Sequence, residues 1–202
     1  MRTIGPHRIT NLNVIDPGVE ALFDDGRKAD VFYSDPPWGD GNVKFWATKA
    51  KKDTGQEFAS IKYAEMLDRI YALIGNLVTG HVFMETGLRW LDANVERFKA
   101  LGLQDIQTVR LLYKGGGKWL ENVMIYGSVH GDGVDIAQFH HRSGQQLVSE
   151  AVALVARPGG IVFDPCCGMG YSAQAALNNG MEFRGNELNP VRLQKTIRRL
   201  ER

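Results

Sequence analysis

The chain of 202 residues contains only two cysteines, Cys166 and Cys167, and they are adjacent. Adjacent cysteines rarely bridge each other, and by themselves they make no zinc knuckle. The expectation is a reducing setting, the cytoplasm. No apolar run is long enough to span a bilayer. The first residues, MRTIGPHRITN, lack the apolar stretch of a signal peptide, so no membrane role is expected. Neither sign of charge dominates: 24 basic and 23 acidic side chains leave a net charge of +1. Any affinity for nucleic acid must come from local patches or from a partner. No internal repeat or low-complexity tract occurs. No P-loop lysine is present, which argues against a triphosphate site. His140 and His141 have no third ligand at metal spacing, so no metal is expected.

What is present is the profile of a soluble globular domain, 44% hydrophobic and 23% charged, of a length that suits one domain over 1–202. Short β-prone runs alternate with helical patterns. Ala29–Ser34 reads as a buried strand. Residues 60–78 carry Ile61, Ala64, Leu67, Ile70, Ile74 and Leu77 at helical spacing, with Gly80 as the stop. His81–Glu85 reads as a strand and Leu88–Leu101 as a helix. Ile106–Tyr113 and Asn122–Val129 pair as an antiparallel hairpin with a long loop, Lys114-Gly-Gly-Gly-Lys118. Gln145–Ala156 is helical, Ile161–Asp164 and Glu182–Gly185 are strands, and Ala173–Leu177 lies in a helix between them. Asn189-Pro190 starts a last helix, Asn as cap and Pro at the first helical position. This alternation predicts an α/β fold with a mostly parallel sheet.

Two strands end abruptly. In Tyr33–Gly41, YSDPPWGDG, an acid, two prolines and a tryptophan follow an apolar run. Each proline fixes φ and lacks an N–H, so the strand cannot continue. In Ile161–Ser172, IVFDPCCGMGYS, an acid is followed by a Gly-x-Gly turn into a helix. Glycine allows a sharp turn and a close approach of backbone to ligand. Glu187 follows Asp164 by 23 residues, at the end of the next strand, where a carboxylate can accept from ribose hydroxyls. Each segment alone also reads as a plain turn. Together they are expected to face one crevice, because sites in open α/β sheets lie beyond the carboxyl ends of the strands.

Asp35-Pro36-Pro37-Trp38 resembles the catalytic motif of S-adenosylmethionine-dependent amino-methyltransferases of nucleic acid, and Phe163–Gly170, FDPCCGMG, is similar to their cofactor loop. The catalytic motif comes first, as in the permuted β class of adenine-N6 DNA methyltransferases; the eukaryotic messenger-RNA adenosine methyltransferases share that order. The resemblance implies a Rossmann-like, seven-stranded methyltransferase sheet with an antiparallel hairpin and a circularly permuted motif order. It implies S-adenosyl-L-methionine as cofactor, held by Ser34, Asp35, Asp164, Pro165, Cys166, Gly168, Gly170, Asn186, Glu187 and Leu188. Val14-Ile15-Asp16 is similar to the segment that reads the cofactor adenine, which adds Asp16. His141-Arg-Ser143-Gly-Gln145-Gln-Leu occupies the place of the family's His-x-Thr-x-Lys-Pro-Leu segment, which adds His141, Ser143 and Gln145. Gln145 and Gln146 depart from that pattern, although an amide can still hydrogen-bond a carboxylate.

An adenine amino nitrogen is a poor nucleophile, because its lone pair is delocalised into the ring. Asp35 and the Pro36 carbonyl offer two acceptors for its hydrogens, Pro37 fixes the orientation of Pro36, and Trp38 offers a face for the base. Residues 39–55 are read as a loop that lids the substrate. Lys44, Trp46, Lys49, Lys51 and Lys52 there, with Lys114 and Lys118, are expected to meet nucleic acid. Only 115–139 is left for reading sequence, with no large separate target-recognition domain. Short or relaxed specificity follows, or help from a homodimer or an auxiliary subunit. The expected activity is DNA adenine-N6 methylation. The alternatives are an RNA adenosine-N6 enzyme, a cytosine-N4 DNA enzyme, or a non-catalytic subunit of the same family.

Overall fold

Strand-forming and helix-forming segments alternate through most of the chain, and all the strands join one sheet. The computed structural model describes residues 1–59, 61–115 and 117–202. The strands are β1 (Arg2–Ile4), β2 (His7–Thr10), β3 (Ala29–Ser34), β4 (Val78–Thr86), β5 (Gln104–Gly115), β6 (Lys118–Ser128), β7 (Ile161–Asp164) and β8 (Glu182–Asn186). The helices are α1 (Asp40–Thr54), α2 (Tyr63–Leu77), α3 (Leu91–Ala100), α4 (Gly144–Val155), α5 (Tyr171–Asn178) and α6 (Pro190–Leu200).

The sheet has eight strands in the order β1-β2-β8-β7-β3-β4-β6-β5. From β2 to β4 the neighbours are parallel; β1 and the β5–β6 hairpin are antiparallel. The sheet is therefore mostly parallel with a hairpin, as expected. The strand beyond the expected seven comes from the N-terminal ribbon of β1 and β2, whose short polar strands carry little apolar pattern.

The central strands are covered on both faces. On β3, Val31 and Tyr33 pack with Leu147, Ala151, Ala173 and Leu193 of α4, α5 and α6, while Ala29 and Phe32 pack with Ile70 and Leu73 of α2 and Phe98 of α3. A strand buried on both faces reads as a continuous apolar run, which is why ADVFYS and IVF are legible.

Three local readings are corrected. Gly80 does not stop a helix: α2 passes directly into β4, and Gly80 lies in that strand. A Cβ at Gly80 would lie 3.0 Å from the Asp30 carbonyl carbon, beside a bulge between β3 and β4. The stretch after Trp38 is not a loop but α1, which runs to a left-handed Gly55. The hairpin has no long loop, since β5 reaches Gly115 and β6 begins at Lys118. Ser60 and Gly116, which those readings also covered, lie outside the described residues.

At the opposite, N-terminal end of the sheet, Arg184 on β8 is buried. It donates twice to Asp25, at 2.8 and 2.6 Å, and its guanidinium lies 4.8 Å from the Phe23 ring. Its Nη1 also donates to Leu22 O at 3.0 Å, which ties the 3-10 helix Pro17–Phe23 to β8 inside the sheet. Among the described residues no helix is long and apolar enough to cross a membrane.

Candidate active site

The strand order reverses between β3 and β7. From β3 the chain crosses to β4 on one side, and from β7 to β8 on the other. Such a switch point splays the connections apart and opens a crevice at the carboxyl ends. Both punctuated strand ends arrive there. They are joined by Ser34 Oγ, which donates to Asp164 Oδ1 at 2.9 Å across 130 residues of sequence. Four acids rim the crevice at successive strand ends: Asp35 after β3, Glu85 on β4, Asp164 on β7 and Glu187 after β8.

The glycine loop is built around Asp164 and Glu187. Besides Ser34, Asp164 accepts from Cys166 N at 3.0 Å and from Ser172 Oγ at 2.6 Å. Glu187 accepts from Gly168 N and from Asn189 N, each at 2.8 Å, and so ties the loop to the start of α6. Gly168 and Gly170 have φ of +52° and +78°, and a Cβ on Gly170 would lie 2.8 Å from the Thr196 Cα. Glycine is needed at both positions for conformation, and at Gly170 for packing too. Burial raises the Asp164 pKa to about 7, against the pull of Ser172, Cys166 N and Ser34. Burial likewise raises Glu187, against Asn189 N, Arg192 and Gly168 N.

Asp35 is solvent-exposed in the crevice, with protein crowded around its carboxyl. That crowding, then the nearby Glu85 and Asp164, hold its carboxyl well above the usual range; Trp38 and Arg192 pull it down. Trp38 Nε1 is buried and completes no hydrogen bond, so its pull is that of a nearby dipole. The Trp38 ring meets Tyr113 edge-on at 5.2 Å, and its carbonyl accepts from Trp90 Nε1 at 3.1 Å.

Two cavities meet at Asp35. One, of about 290 Å³, is lined by Pro36, Pro37, Pro165, Asn186, Glu187 and Leu188, by Asn13 and Val14, and by Trp46 of α1. The other, of about 220 Å³, reaches Glu85, Ser143, Asp164, Gly168 and Ser172. Asp35, Trp38, Tyr113, Cys166 and Arg192 line both.

Most of the predicted site residues therefore converge, but not all. Asp16 caps the 3-10 helix by accepting from Gly18 N at 2.7 Å and lines neither cavity; Val14 does. His141 is exposed, stacked on His140 at 3.7 Å, and lines neither. Gln145 is exposed, with Oε1 accepting from Arg199 at 3.4 Å. Gly170 packs against α6 rather than lining a cavity. Asn186 lines the larger cavity, yet its amide is fully engaged: Oδ1 accepts from Thr10 Oγ1 and Leu12 N, and Nδ2 donates to Leu12 O and Pro165 O. It braces the loop. Of the lysines on α1, Lys49 pairs with Asp53 and Lys51 with Glu57, while Lys44 and Lys52 are exposed. Lys114 and Lys118 sit at the hairpin tip, opposite Trp119 and Gly115 in the ladder.

Sequence reasoning missed Glu85, Tyr113 and Arg192. The first two close runs that were read as strands, so the signal was the one used for Asp35 and Asp164. Arg192 stands in a helix, with no strand end to mark it. It lies in the first turn of α6, with its guanidinium 4.1 Å from the Trp46 ring and its Nε buried without a partner.

No protein-family model and no curated protein sequence matches the chain. Solved structures match it over nearly its whole length. M1.HpyAVI superposes with a TM-score of 0.67 at 14% identity, covering 96% of this chain and 99% of its own. TTHA0409 from Thermus thermophilus, in complex with S-adenosyl-L-methionine, gives 0.64 at 18% identity over 96% and 93%. The cytosine-N4-specific PvuII DNA methyltransferase gives 0.63 at 10% identity over 98% and 90%. The chain has the fold of these proteins.

Proposed function

We propose that the chain is an S-adenosylmethionine-dependent DNA methyltransferase that modifies exocyclic amino groups, adenine N6 first among them. The observation that carries this reading is the Ser34–Asp164 hydrogen bond, which seats Asp-Pro-Pro-Trp and the glycine loop on one crevice. The similar structures add weight, because M1.HpyAVI and TTHA0409 were both solved with S-adenosylmethionine.

The residues present suit that cofactor. Glu187 offers a carboxylate to ribose hydroxyls, Val14 and Leu188 offer an apolar wall to an adenine ring, and Asp35, Glu85 and Asp164 ring the second cavity, which favours a sulfonium cation. Bound there, the cofactor would supply an electrophilic methyl group. The chain does the rest. Asp35 and the Pro36 carbonyl accept the hydrogens of the target amine and so localise its lone pair on nitrogen. Pro37 holds Pro36 extended. Trp38 and Tyr113 form an aromatic corner against which a base is held. A duplex substrate must present its base flipped out. The lysines of α1 and of the hairpin tip lie on elements that border the crevice and suit the phosphate backbone.

Cytosine N4 is the second reading, favoured by the match to the PvuII enzyme. Labelled cofactor with separate pools of duplex DNA, single-stranded DNA and RNA tests the proposal. After digestion to nucleosides, mass spectrometry should find N6-methyladenine in DNA. Label in RNA alone, or in N4-methylcytosine, replaces the reading, and cofactor binding without transfer favours a non-catalytic subunit.

A further inference from the structure

Beyond its share in that ring of acids, Glu85 has no role in the transfer step above, yet it is a firmly held carboxylate lining the crevice. Ser34 pairs with Met84 in parallel register, so Asp35 and Glu85 leave adjacent strands side by side. Tyr33 Oη donates to Glu85 Oε1 at 2.7 Å, and Asn122 Nδ2 donates to Oε2 at 2.8 Å. Both donors are buried and come from flanking strands, β3 and β6. Asp35, Glu85 and Asp164 line the same cavity. The other titratable groups facing it are Tyr113 from β5, Cys166 and Cys167 from the glycine loop, Tyr171 from α5 and Arg192 from α6; Glu187 acts on Asp164 from the end of β8. Among the described residues, no lysine or arginine forms an ion pair with Asp35 or Glu85.

We propose that Glu85 is a positioning residue for methyl transfer: with Asp35 it forms a carboxylate pair that keeps Asp35 basic enough to take the proton released by the methylated amine. The inference rests on the methyltransferase reading of the site. As the amine nitrogen takes the methyl group, the C–S bond breaks with its electron pair left on sulfur and the N–C bond forms. The nitrogen then carries one proton too many. That proton passes to the Asp35 carboxylate, and from there to water at the mouth of the crevice. A lone exposed aspartate is a weak acceptor. Two carboxylates at neighbouring strand ends cannot both ionise freely, so each raises the other's hold on a proton. The two donors fix where Glu85 sits, on the strand beside Asp35. Burial and Glu85 are the two leading causes of the raised Asp35 pKa.

The test reads Asp35 directly. With carbon-13 at the aspartate carboxyls, the Asp35 signal is assigned by its loss in Asp35→Asn and followed from acid to alkaline pH. It should titrate in more than one step in the wild-type protein, and about one pH unit lower in Glu85→Gln, where the coupling to Asp164 remains. The acid limb of the kcat profile for methyl transfer should move by the same amount. Glu85→Asp, which keeps the charge, should return it. A merely structural Glu85 would lower the rate and leave the limb in place. A one-step titration of Asp35 in the wild-type protein, which needs no variant to fold, would overturn the pair. The shift in Glu85→Gln, in a protein that methylates no polymer, would uphold the pair and overturn the function, and methyl transfer with a one-step titration would do the reverse.

Discussion

The two ends of the central sheet carry acids in similar number and treat them in opposite ways. At the N-terminal end each is matched to an arginine: Asp25 to Arg184, Asp30 to Arg157 and Glu182 to Arg27. At the carboxyl end Asp35, Glu85, Asp164 and Glu187 face one another, with Arg192 as the nearby cation. The Arg184 guanidinium holds Asp25 down at about 2, while burial lifts Asp164 to about 7. The same residue type stabilises the fold at one end and stores electrostatic strain at the other. Acids gathered without a cation for each mark where a cationic ligand or a proton is handled.

The comparison breaks most visibly at Asp35. Asp35→Ala should lower methyl transfer about 100- to 1,000-fold, as for loss of one preorganised transition-state contact, and leave the thermal midpoint nearly unchanged. Unaltered transfer in the labelled-methyl assay would sink the mechanism. At the other end, Arg184→Met removes a buried cation and its bonds to Asp25. It should cost about 3 kcal/mol in urea unfolding, because Asp25 keeps some access to water.

Stability against pH should show both signs. Asp164 has a folded pKa above its unfolded value, so its protonated form is favoured in the fold. Its contribution is full below the unfolded pKa, near 4, and is lost as pH rises through about 7. Asp25 is depressed, so its contribution is full above the unfolded pKa and lost as pH falls toward about 2. Asp164→Asn should flatten the denaturant midpoint on the neutral side only, and Asp25→Asn on the acid side only. The smallest effect is expected from the proposed phosphate contacts. Lys114→Ala with Lys118→Ala should reduce the salt dependence of DNA affinity by about two, measured by fluorescence anisotropy, whatever the sequence. Arg157→Ala, at the far end, should leave it unchanged.

What was legible in the sequence was local punctuation. Prolines and glycines directly after apolar runs marked β3 and β7, and the spacing to Glu187 marked β8. What was hidden was either weakly patterned or distant. Helix α1 buries only Val43 and Ala50 and begins within Gly39-Asp40-Gly41, so its sequence reads as a loop. Glu85 and Tyr113 close strands without a proline or glycine to announce them. Arg192 gains its place only once Trp46 of α1 lies beneath it, more than a hundred residues away. The Asp16, His141 and Gln145 positions, carried over from a family resemblance, are where this chain's own turns and caps take precedence.

The pairing of β3 with β7 also bears on how the chain is made. On a ribosome, β3 emerges long before β7, so one edge of the strand that carries Asp35 waits unpaired while the hairpin and α4 are synthesised. Until then β3 is an open, apolar template for other chains. A product truncated anywhere between Trp38 and residue 161 would keep the whole of Asp-Pro-Pro-Trp and should fail by aggregation.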